Sequence, residues 1–514
     1  MTTTGRRALR VIIGIITMVI IVAVFAALAI MPGPATLVDR VAAADDAIDE
    51  TVSPTQSQQY CPSAMGLLDT GTYGDSAFQA TSGNLSTQAA YAAFGSVYSA
   101  TASVFANSAD DSDEGEVTLR DADPSDDATV KTGAQRIHQG SRLIETHMLQ
   151  AQKGTGTVGT IASWSTDGDL KGVSAASCET TSLEHAFLLS GSATGTTQQL
   201  IVANPSSKPT SVRIRVWGSN EAGELTMSTQ SSVAVSAGAE ASLDLSAAAS
   251  DLDGLYVTVS SKQTPIAALV RTVVMDGLTS KGSDFAMPLA AAANASAVSG
   301  IAQGDAVTAY LFAQTDTVTQ LSWITGHGLV EARDDVAIEA GKVAVVDLGE
   351  APDDALGVMS TAQDAVSFSV RATRSGSDNQ ADFALMNAGA TSEASGLAVP
   401  SGFEGTVVLS NTSNDGQNVT LTSYDDSGAL LITRRISLGA NAAESIAMND
   451  LTRADATVAA LQLEDESGTV SWGMRMSHAD LDDGDVAGLA VVTASTLMPI
   501  TAQVWARSNP AIVR

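Results

Sequence analysis

The sequence predicts a mainly β protein in which tandem immunoglobulin-like β-sandwich modules follow one N-terminal transmembrane helix. Three observations lead to this prediction. They are a long apolar run near the N-terminus, a unit of roughly 100 residues that recurs along the chain, and alternation of apolar with polar residues inside each unit. A β-propeller-like closed array of the repeats is the alternative arrangement.

The first element is the apolar run of residues 11–31, which carries no charge and has Thr17 as its only polar side chain. At about 1.5 Å per residue it forms a helix of about 31 Å, long enough to cross a bilayer. Arginines precede it and acidic residues follow it, so we expect residues 1–10 in the cytoplasm and the ectodomain outside the cell membrane. The A-x-A-like site at 42–44 lies too far beyond the run for an ordinary signal peptide, so an uncleaved signal anchor is favoured over a secreted product.

The net charge limits the partners of the exported part. The chain has 514 residues and a formal net charge of −31 at pH 7. Such an acidic surface repels nucleic acid and anionic lipid headgroups, so we expect no nucleic acid partner, and contact with the membrane only through residues 11–31. Envelope proteins and cell-wall glycan are the remaining candidate partners. The hydrophobic content of 44% excludes wholesale disorder.

The two cysteines, Cys61 and Cys178, both follow the apolar run. In an oxidising compartment a single pair most simply forms one disulfide. Closing a loop of about 100 residues would stabilise the fold by about 4–5 kcal/mol in the chain-entropy model. A metal site would need more ligands, and His185 is the only histidine close to either cysteine.

Composition divides the exported part into five segments. We assign a flexible linker to residues 32–58, an N-terminal ectodomain module to 59–190, and β-sandwich repeats to 191–295, 296–395 and 396–514. Inside the N-terminal module, residues 108–128 are expected to form an acidic, solvated loop. The segment Gln135–Gln152 fits a helix and a strand equally well.

Recurring segments define the three repeats. Leu200–Pro205 (LIVANP) aligns with Val407–Thr412 (VVLSNT), and both contain an asparagine expected at a turn between strands. The segments ALVR, FSVR and WGMR end in Arg271, Arg371 and Arg475, and an Asp-Phe-Ala sequence or a degenerate form of it follows each.

Periodicity indicates what each repeat is. In Ser211–Trp217, Val212, Ile214 and Val216 alternate with polar residues, the period of two that marks a half-buried strand. Similar stretches give six to eight short strands per repeat, which fits an immunoglobulin-sized sandwich. A propeller blade would repeat every 40–50 residues or so.

Several of these segments resemble a known family. Gly159–Cys178 (GTIASWSTDGDLKGVSAASC), then AFLLSG, LIVANP and Ser283–Pro288 (SDFAMP), are similar to an actinobacterial family of signal-anchored envelope proteins known only as domain of unknown function 5719. The resemblance covers most of the chain from Cys61 onward, and departs where Glu184 and His185 stand in a place expected to be aromatic. The family has no established activity, so the resemblance implies location and architecture and no catalytic residue.

Two motifs resemble ligand-binding loops but lack the required context. The GxGxxG at 154–159 is not followed by a helix, so we expect a flexible turn and no dinucleotide site. The acidic segment 480–485 has Asp485 where an EF-hand needs glycine and Val491 where it needs glutamate, so we expect a solvated turn. Weak, adventitious calcium binding there stays open.

The remaining candidates are expected to be structural. The three repeated arginines are predicted to end strands and to pair with local carboxylates, although a binding site used three times is conceivable. Trp217, Trp323 and Trp472 lie inside alternating strands, which favours the core over a sugar-stacking surface. The five histidines form no HExxH motif or Cys/His cluster, and no GxSxG occurs.

We therefore expect no catalytic, cofactor or metal residues, and a non-catalytic, membrane-anchored extracellular envelope protein that acts as a scaffold or an interaction stalk. A cell-wall glycan-binding protein is the alternative, and it requires exposed aromatic clusters. An envelope hydrolase is the second alternative, and it requires a pocket in residues 59–190 with two facing acids.

Overall fold

The computed structural model describes residues 17–24, 48–68, 80–105, 115–122, 129–453, 456–482 and 484–506. The chain folds into two compact units, Met1–Ser53 with Ile500–Arg514, and Pro54–Pro499. In the first unit residues 17–24 are helical, and the rest of the predicted transmembrane segment 11–31 lies outside the described residues. Among the described residues, no helix has the length and apolar character that crossing a membrane requires.

The first unit also contains a two-stranded sheet. Strand β1 (Ile48–Val52) pairs in an antiparallel register with the last strand of the chain, β35 (Ala502–Ala506). The prediction of a coil over 32–58 is therefore wrong for 48–52, and also for the strand that begins at Gln56; residues 32–47 lie outside the described part. Composition misled here, because the partner of β1 lies at the other end of the chain.

The second unit consists of four modules, M1 (56–180), M2 (184–286), M3 (293–387) and M4 (394–496), with one strand topology. The first, sixth, third and fourth strands of each module pair in that order in one sheet. The fifth, second, seventh and eighth strands pair in the other sheet. In M3 one strand of 21 residues serves as both the sixth and the seventh.

The strands of M1 and M2 follow in chain order. M1 contains β2 (Gln56–Cys61), β3 (Ser86–Phe94), β4 (Val97–Val104), β5 (Val117–Asp121), β6 (Val130–Arg136), β7 (Arg142–Met148), β8 (Gly156–Ser165), β9 (Gly172–Ser177) and the short β10 (Glu179–Thr180). M2 contains β11 (Glu184–Ser190), β12 (Thr196–Asn204), β13 (Thr210–Gly218), β14 (Ser232–Val235), β15 (Ala239–Asp244), a helical turn (Leu245–Ala248), β16 (Gly254–Ser261), β17 (Ala267–Asp276) and β18 (Thr279–Ala286).

The strands of M3 and M4 complete the unit. M3 contains β19 (Ala293–Ser299), β20 (Ala306–Phe312), β21 (Thr317–Thr325), β22 (Gly328–Ile338), β23 (Ala344–Glu350), β24 (Ala355–Ser375) and β25 (Ala381–Asn387). M4 contains β26 (Ala394–Ala398), β27 (Phe403–Asn411), β28 (Gln417–Tyr424), β29 (Leu430–Leu438), β30 (Ala443–Ala447), a 3₁₀ turn (Met448–Leu451), β31 (Ala460–Glu464), β32 (Val470–His478), a helical turn (Ala479–Asp482), β33 (Ala490–Thr493) and β34 (Ser495–Thr496).

Each module is a β-sandwich with its own apolar core. In M2, Phe187 and Val257 from one sheet pack with Leu200 and Val270 from the other. The predicted alternation supplies these residues, because the apolar side chains of β13 are buried while its polar ones face outward. The prediction of a mainly β chain is confirmed.

The repeated asparagine forms the turn after the second strand. Asn204 is fully buried, and its amide donates to the carbonyl oxygens of Lys208 (2.8 Å) and Ser236 (3.1 Å). Asn411 occupies the same place in M4 and donates to Asp415 and Gly439, both at 2.8 Å. One side chain thus satisfies carbonyls of two neighbouring turns.

The structure corrects several boundaries. The N-terminal module is a further copy of the repeat, so the unit has four copies where the sequence indicated three. Within it, the undecided segment contains β7, and β5 lies inside the predicted acidic loop 108–128, of which 108–114 and 123–128 lie outside the described residues. Strand β11 pairs with β16 and so belongs to M2, ahead of the predicted start at residue 191. The last strand, β35, lies in the first unit, although 396–514 was assigned to one repeat.

The four modules form a closed array. Their eighth strands, which we call the central strands, contact one another in a cycle, β9 with β18, β18 with β25, β25 with β33, and β33 with β9. The first strand of a module also packs on the following one, so that β11 contacts β20, β19 contacts β27, and β26 contacts β3. The array is closed, as in the alternative arrangement, but its members are two-sheet sandwiches and not single-sheet blades.

An aromatic cluster joins the first module to the last. Trp164 of M1 stacks on His478 of M4 at 4.0 Å and meets Phe403 edge-on at 5.4 Å. Its indole Nε1 donates to Asp480 Oδ2 at 3.0 Å. The acidic segment predicted as a solvated turn therefore begins with a helical turn, Ala479–Asp482, that contributes to closing the array.

Candidate binding site at the centre of the four modules

The ends of the four central strands surround a cavity of about 240 Å³, which we call the central cavity. It is lined by residues 175–180, 285, 287–290, 385–390 and 491–496, together with Gln59. Each of these segments begins within a central strand and continues past its end. Equivalent positions meet because the modules share one topology and pack in a cycle.

Most of the lining is apolar or already hydrogen-bonded. Phe285, Met386 and Val491 come from three different modules, and each is nearly buried. The amide of Gln59 donates to Thr157 O at 2.9 Å, and the hydroxyl of Ser177 donates to Thr493 O at 2.8 Å. These two hydrogen bonds join separate segments of the wall to each other.

Among the described residues that line the cavity, Glu179 is the only ionisable side chain apart from the disulfide-bonded Cys178. It lies in β10, opposite Tyr60 of β2. Burial raises the pKa of Glu179 to about 7, and hydrogen bonding from the hydroxyl and N–H of Thr180 offsets part of the rise. Within the described part of the chain, no ion pair involves Glu179.

The disulfide lies beside this carboxylate. Cys61 and Cys178 are bonded, with 4.3 Å between their Cα atoms, which confirms the predicted pairing. The bond joins β2 to the residue between β9 and β10, so it restrains the backbone directly before Glu179. Gly159 packs against the disulfide, and no larger residue fits there without a shift, because a Cβ at that position would collide with Cys178 Sγ. The last glycine of the GxGxxG motif therefore makes room for the disulfide.

A buried carboxylate lies next to the cavity. Asp284 of M2 is 1% exposed; its Oδ1 accepts from Ala175 N of M1 at 3.2 Å and its Oδ2 from Leu385 N of M3 at 2.7 Å. Ala175 and Leu385 also line the cavity. Burial raises the pKa of Asp284 well above its usual value, and the backbone N–H donors oppose that rise.

A second buried carboxylate joins M3 to M1 and M4. Asp382 of M3 is fully buried, and its Oδ2 accepts from Val173 N of M1 (2.7 Å) and Leu489 N of M4 (2.9 Å). Burial raises its pKa, and the negative charge of Asp284 contributes to the rise. Gly172 is required beside it, since a Cβ there would collide with the carboxylate. Two side chains thus connect all four modules.

The repeated arginines lie within strands, so the prediction that they end strands is wrong. Arg475 of M4 forms a two-pronged ion pair with Asp305 of M3, at 2.7 and 2.9 Å, and donates to Gly300 O at 2.9 Å. Asp305 is fully buried. The carboxylate partner is therefore not local, and the contact joins two modules.

The other two arginines have no carboxylate partner of this kind among the described residues. Arg271 of M2 donates to Ser63 Oγ and Ala64 O of M1, a second contact between modules. Arg371 lies over the ring of Phe383 at 4.2 Å, within M3. The three positions do not share one ligand-binding geometry.

The four tryptophans whose side chains the structure describes are all buried, between 3% and 8% exposed. They are Trp164, Trp217, Trp323 and Trp472, one in each module. The described residues contain no group of three or more His, Cys, Asp or Glu side chains that could hold a metal ion.

Sequence reasoning missed Glu179, Asp284, Asp382 and Asp305. The two aspartates of the Asp-Phe-Ala repeats carried a signal, because an acid inside an apolar strand needs buried partners. The sequence gives no comparable signal for Glu179, because the four segments that surround it lie far apart in the chain. The site as a whole can hold a small ligand with one charged contact.

Comparison with known proteins gives little further information. The model of a family of unknown function, DUF5719, matches residues 133–449, which is more than half of the chain. No curated protein matches. Dimeric latent PorU from Porphyromonas gingivalis aligns at 10% identity with a TM-score of 0.12, over 61% of this chain and 34% of PorU. The chain thus spans about a third of PorU, and the likeness is too low to carry an argument.

Proposed function

The chain belongs to DUF5719, a family of unknown function, and we propose from that premise that it is a non-catalytic envelope protein. In this proposal residues 11–31 anchor it in the membrane, and its four immunoglobulin-like modules form a rigid binding platform outside. The single observation that carries the proposal is the closed array around one central cavity, held by buried side chains that link the modules.

The buried polar groups favour a platform over a flexible stalk. Asp284, Asp382 and Asp305 each accept hydrogen bonds from a different module, and a buried carboxylate is tolerated only where its partners stay in place. The array is therefore suited to holding a fixed surface and not to bending between modules. A fixed surface lowers the entropy cost of binding.

Two observations support the location. In the helical residues 17–24 the side chains of Met18 and Val22 are 70% and 61% exposed, as expected for a segment whose partner is lipid. The Cys61–Cys178 disulfide supports an oxidising compartment.

The alternatives receive less support. A glycan-binding platform needs exposed aromatic rings, and the four described tryptophans are buried. A hydrolase needs two facing acids, and in the part of the chain that the structure describes the central cavity has one carboxylate, Glu179.

Cell fractionation tests the location. We expect the full chain, tagged at its C-terminus, to stay in the membrane pellet after alkaline extraction, and a variant lacking residues 1–31 to leave it. External protease should digest the tag in intact cells. Recovery of the full chain in the soluble fraction would contradict the proposed anchor, and a protected tag would contradict the proposed orientation.

A further inference from the structure

We propose that the central cavity binds a small organic amine, whose ammonium group pairs with the carboxylate of Glu179 while its apolar part packs among Phe285, Met386 and Val491. The inference deepens the proposed platform by naming the class of ligand that its cavity takes. It is carried by the chemistry of the cavity wall, contributed by all four modules.

The first step is that Glu179 lacks a cationic partner. In the part of the chain that the structure describes, the buried Asp305 forms an ion pair with Arg475, and the partly exposed Glu444 forms one with Arg434. No ion pair in that part involves Glu179. A carboxylate in such a confined place is incompletely solvated. Its electrostatic attraction for a cation that enters the cavity is therefore stronger than the attraction of a carboxylate at the protein surface.

The second step is the size of the space. A dry cavity of about 150 Å³ is known to hold benzene, so a cavity of this kind accommodates a ligand somewhat larger than one aromatic ring. The central cavity measures about 240 Å³. An apolar ring with a short aminoalkyl chain fits that volume.

The third step is charge. The chain has a net charge of −31, so its field attracts cations and repels anions before contact. A metal ion is a poor fit, because the wall offers one carboxylate and the described residues form no group of three ligands. An organic amine matches both features, because its ammonium group is attracted by the negative field and its apolar part packs on the largely apolar wall.

The pH dependence follows from the groups around Glu179. Its pKa of about 7 makes it half protonated near neutral pH. Apart from Asp276 at the exposed end of β17, the titratable groups on the elements packed against it are Tyr60, whose hydroxyl donates to Glu240, and Arg271 on β17. Neither changes charge between pH 5 and 8, because burial raises the pKa of Tyr60 further above that range and an arginine stays protonated.

Ammonium binding requires the ionised carboxylate, so affinity must rise with pH and level off above pH 7. An alkylamine stays protonated throughout this range, as the lysine side chain does with its pKa of about 10.4. A ligand that accepts a hydrogen bond from the protonated acid would show the opposite trend.

Calorimetric titration of the full chain in detergent with 2-phenylethylamine tests the inference. The matched neutral probe is 2-phenylethanol, which has the same number of heavy atoms and no charge. We expect the amine to bind at least about tenfold more tightly than the alcohol at pH 8, and to weaken as pH falls to 5.5. In Glu179→Gln the preference for the amine should disappear.

A control variant separates the site from its surroundings. Glu184→Gln removes an exposed acid five residues away and should leave amine binding unchanged. The far-UV circular dichroism of Glu179→Gln shows whether the fold survives, and if it does not, the amine-to-alcohol preference and its pH trend in the unaltered chain decide the question. Equal affinity for both probes, or no amine binding, would overturn the inference and leave the membrane tests intact. Tighter binding of Nα-acetyl-lysine N-methylamide than of 2-phenylethylamine would also overturn the inference. That result would indicate that the cavity receives a lysine side chain of a partner protein.

Discussion

At the scale of single residues, several buried charges of this protein serve contacts between modules. The clearest case is the pair formed by Arg475 and Asp305, in which both guanidinium Nη atoms meet both carboxylate oxygens. Asp305 also accepts from Ala302 N at 2.9 Å, so each of its oxygens has a partner. Removing one member of such a pair leaves the other as an uncompensated buried charge.

We predict that Arg475→Met destabilises the array by about 3 kcal/mol, because it removes two short hydrogen bonds from the buried Asp305 and leaves it the longer ion pair with Arg374, at 3.9 Å. Chemical denaturation followed by circular dichroism measures the change. Arg434→Met is the matched control in the same module, since Arg434 pairs with Glu444 at 3.0 Å where both are partly exposed. That change should cost less than about 1 kcal/mol. Equal effects of the two substitutions would show that Arg475 does not couple M3 to M4.

At the scale of elements, the central strands are held together by carboxylates more than by sheet hydrogen bonds. Neighbouring central strands belong to different sheets, so no ladder joins them. Asp284 and Asp382 accept backbone N–H groups from the adjoining strands in its place. These acceptors satisfy donors that would otherwise be buried without partners.

We predict that Asp284→Asn destabilises the protein by about 1–3 kcal/mol, although the substitution keeps the shape. The amide presents an NH₂ group where either Ala175 N or Leu385 N now donates, so one donor loses its acceptor. The midpoint of urea unfolding measures the loss. Asp276→Asn, at the exposed end of β17, should change it by less than about 0.5 kcal/mol. An unchanged midpoint in Asp284→Asn would mean that this carboxylate is not a needed acceptor.

The same scale shows why boundaries were hard to place. The sequence pattern of a strand is the same whether its pairing partner lies in the same module or in another part of the chain. Alternation identified β13 correctly, but it gave no sign that β1 pairs with β35. Strand β5 was missed for a related reason. The many acidic residues of 108–128 predicted a solvated loop, although the segment contains a short stretch that forms a strand.

At the scale of the whole molecule, closure distinguishes an array from a string of modules. Each of M1 to M4 packs on two neighbours, so unfolding one exposes apolar surface on both. In an open string the end modules would have one neighbour and would unfold first.

We predict that Pro54–Pro499 unfolds in a single cooperative transition. The four buried tryptophans provide one probe per module, and variants that keep one of them and carry Phe at the other tryptophan positions report on each in turn. Within each variant, the fluorescence midpoint should coincide with the midpoint from far-UV circular dichroism. A tryptophan that reports unfolding at a lower denaturant concentration than circular dichroism would show that its module unfolds alone.

The sequence by itself determined the β class, the alternating core positions, the disulfide partners and the family, because these depend on local pattern or on a pair with no competitor. It also revealed three copies of the repeat, since residues such as Asn204 and Asn411 perform one local task in each.

Only the tertiary structure revealed the copy in M1, the closure of the array, the roles of Asp284 and Asp382, and the cavity around Glu179. The physical reason is distance along the chain. A turn is specified by residues a few positions apart, whereas the central cavity is formed by four segments separated by about a hundred residues each, and no local pattern records which of them will meet.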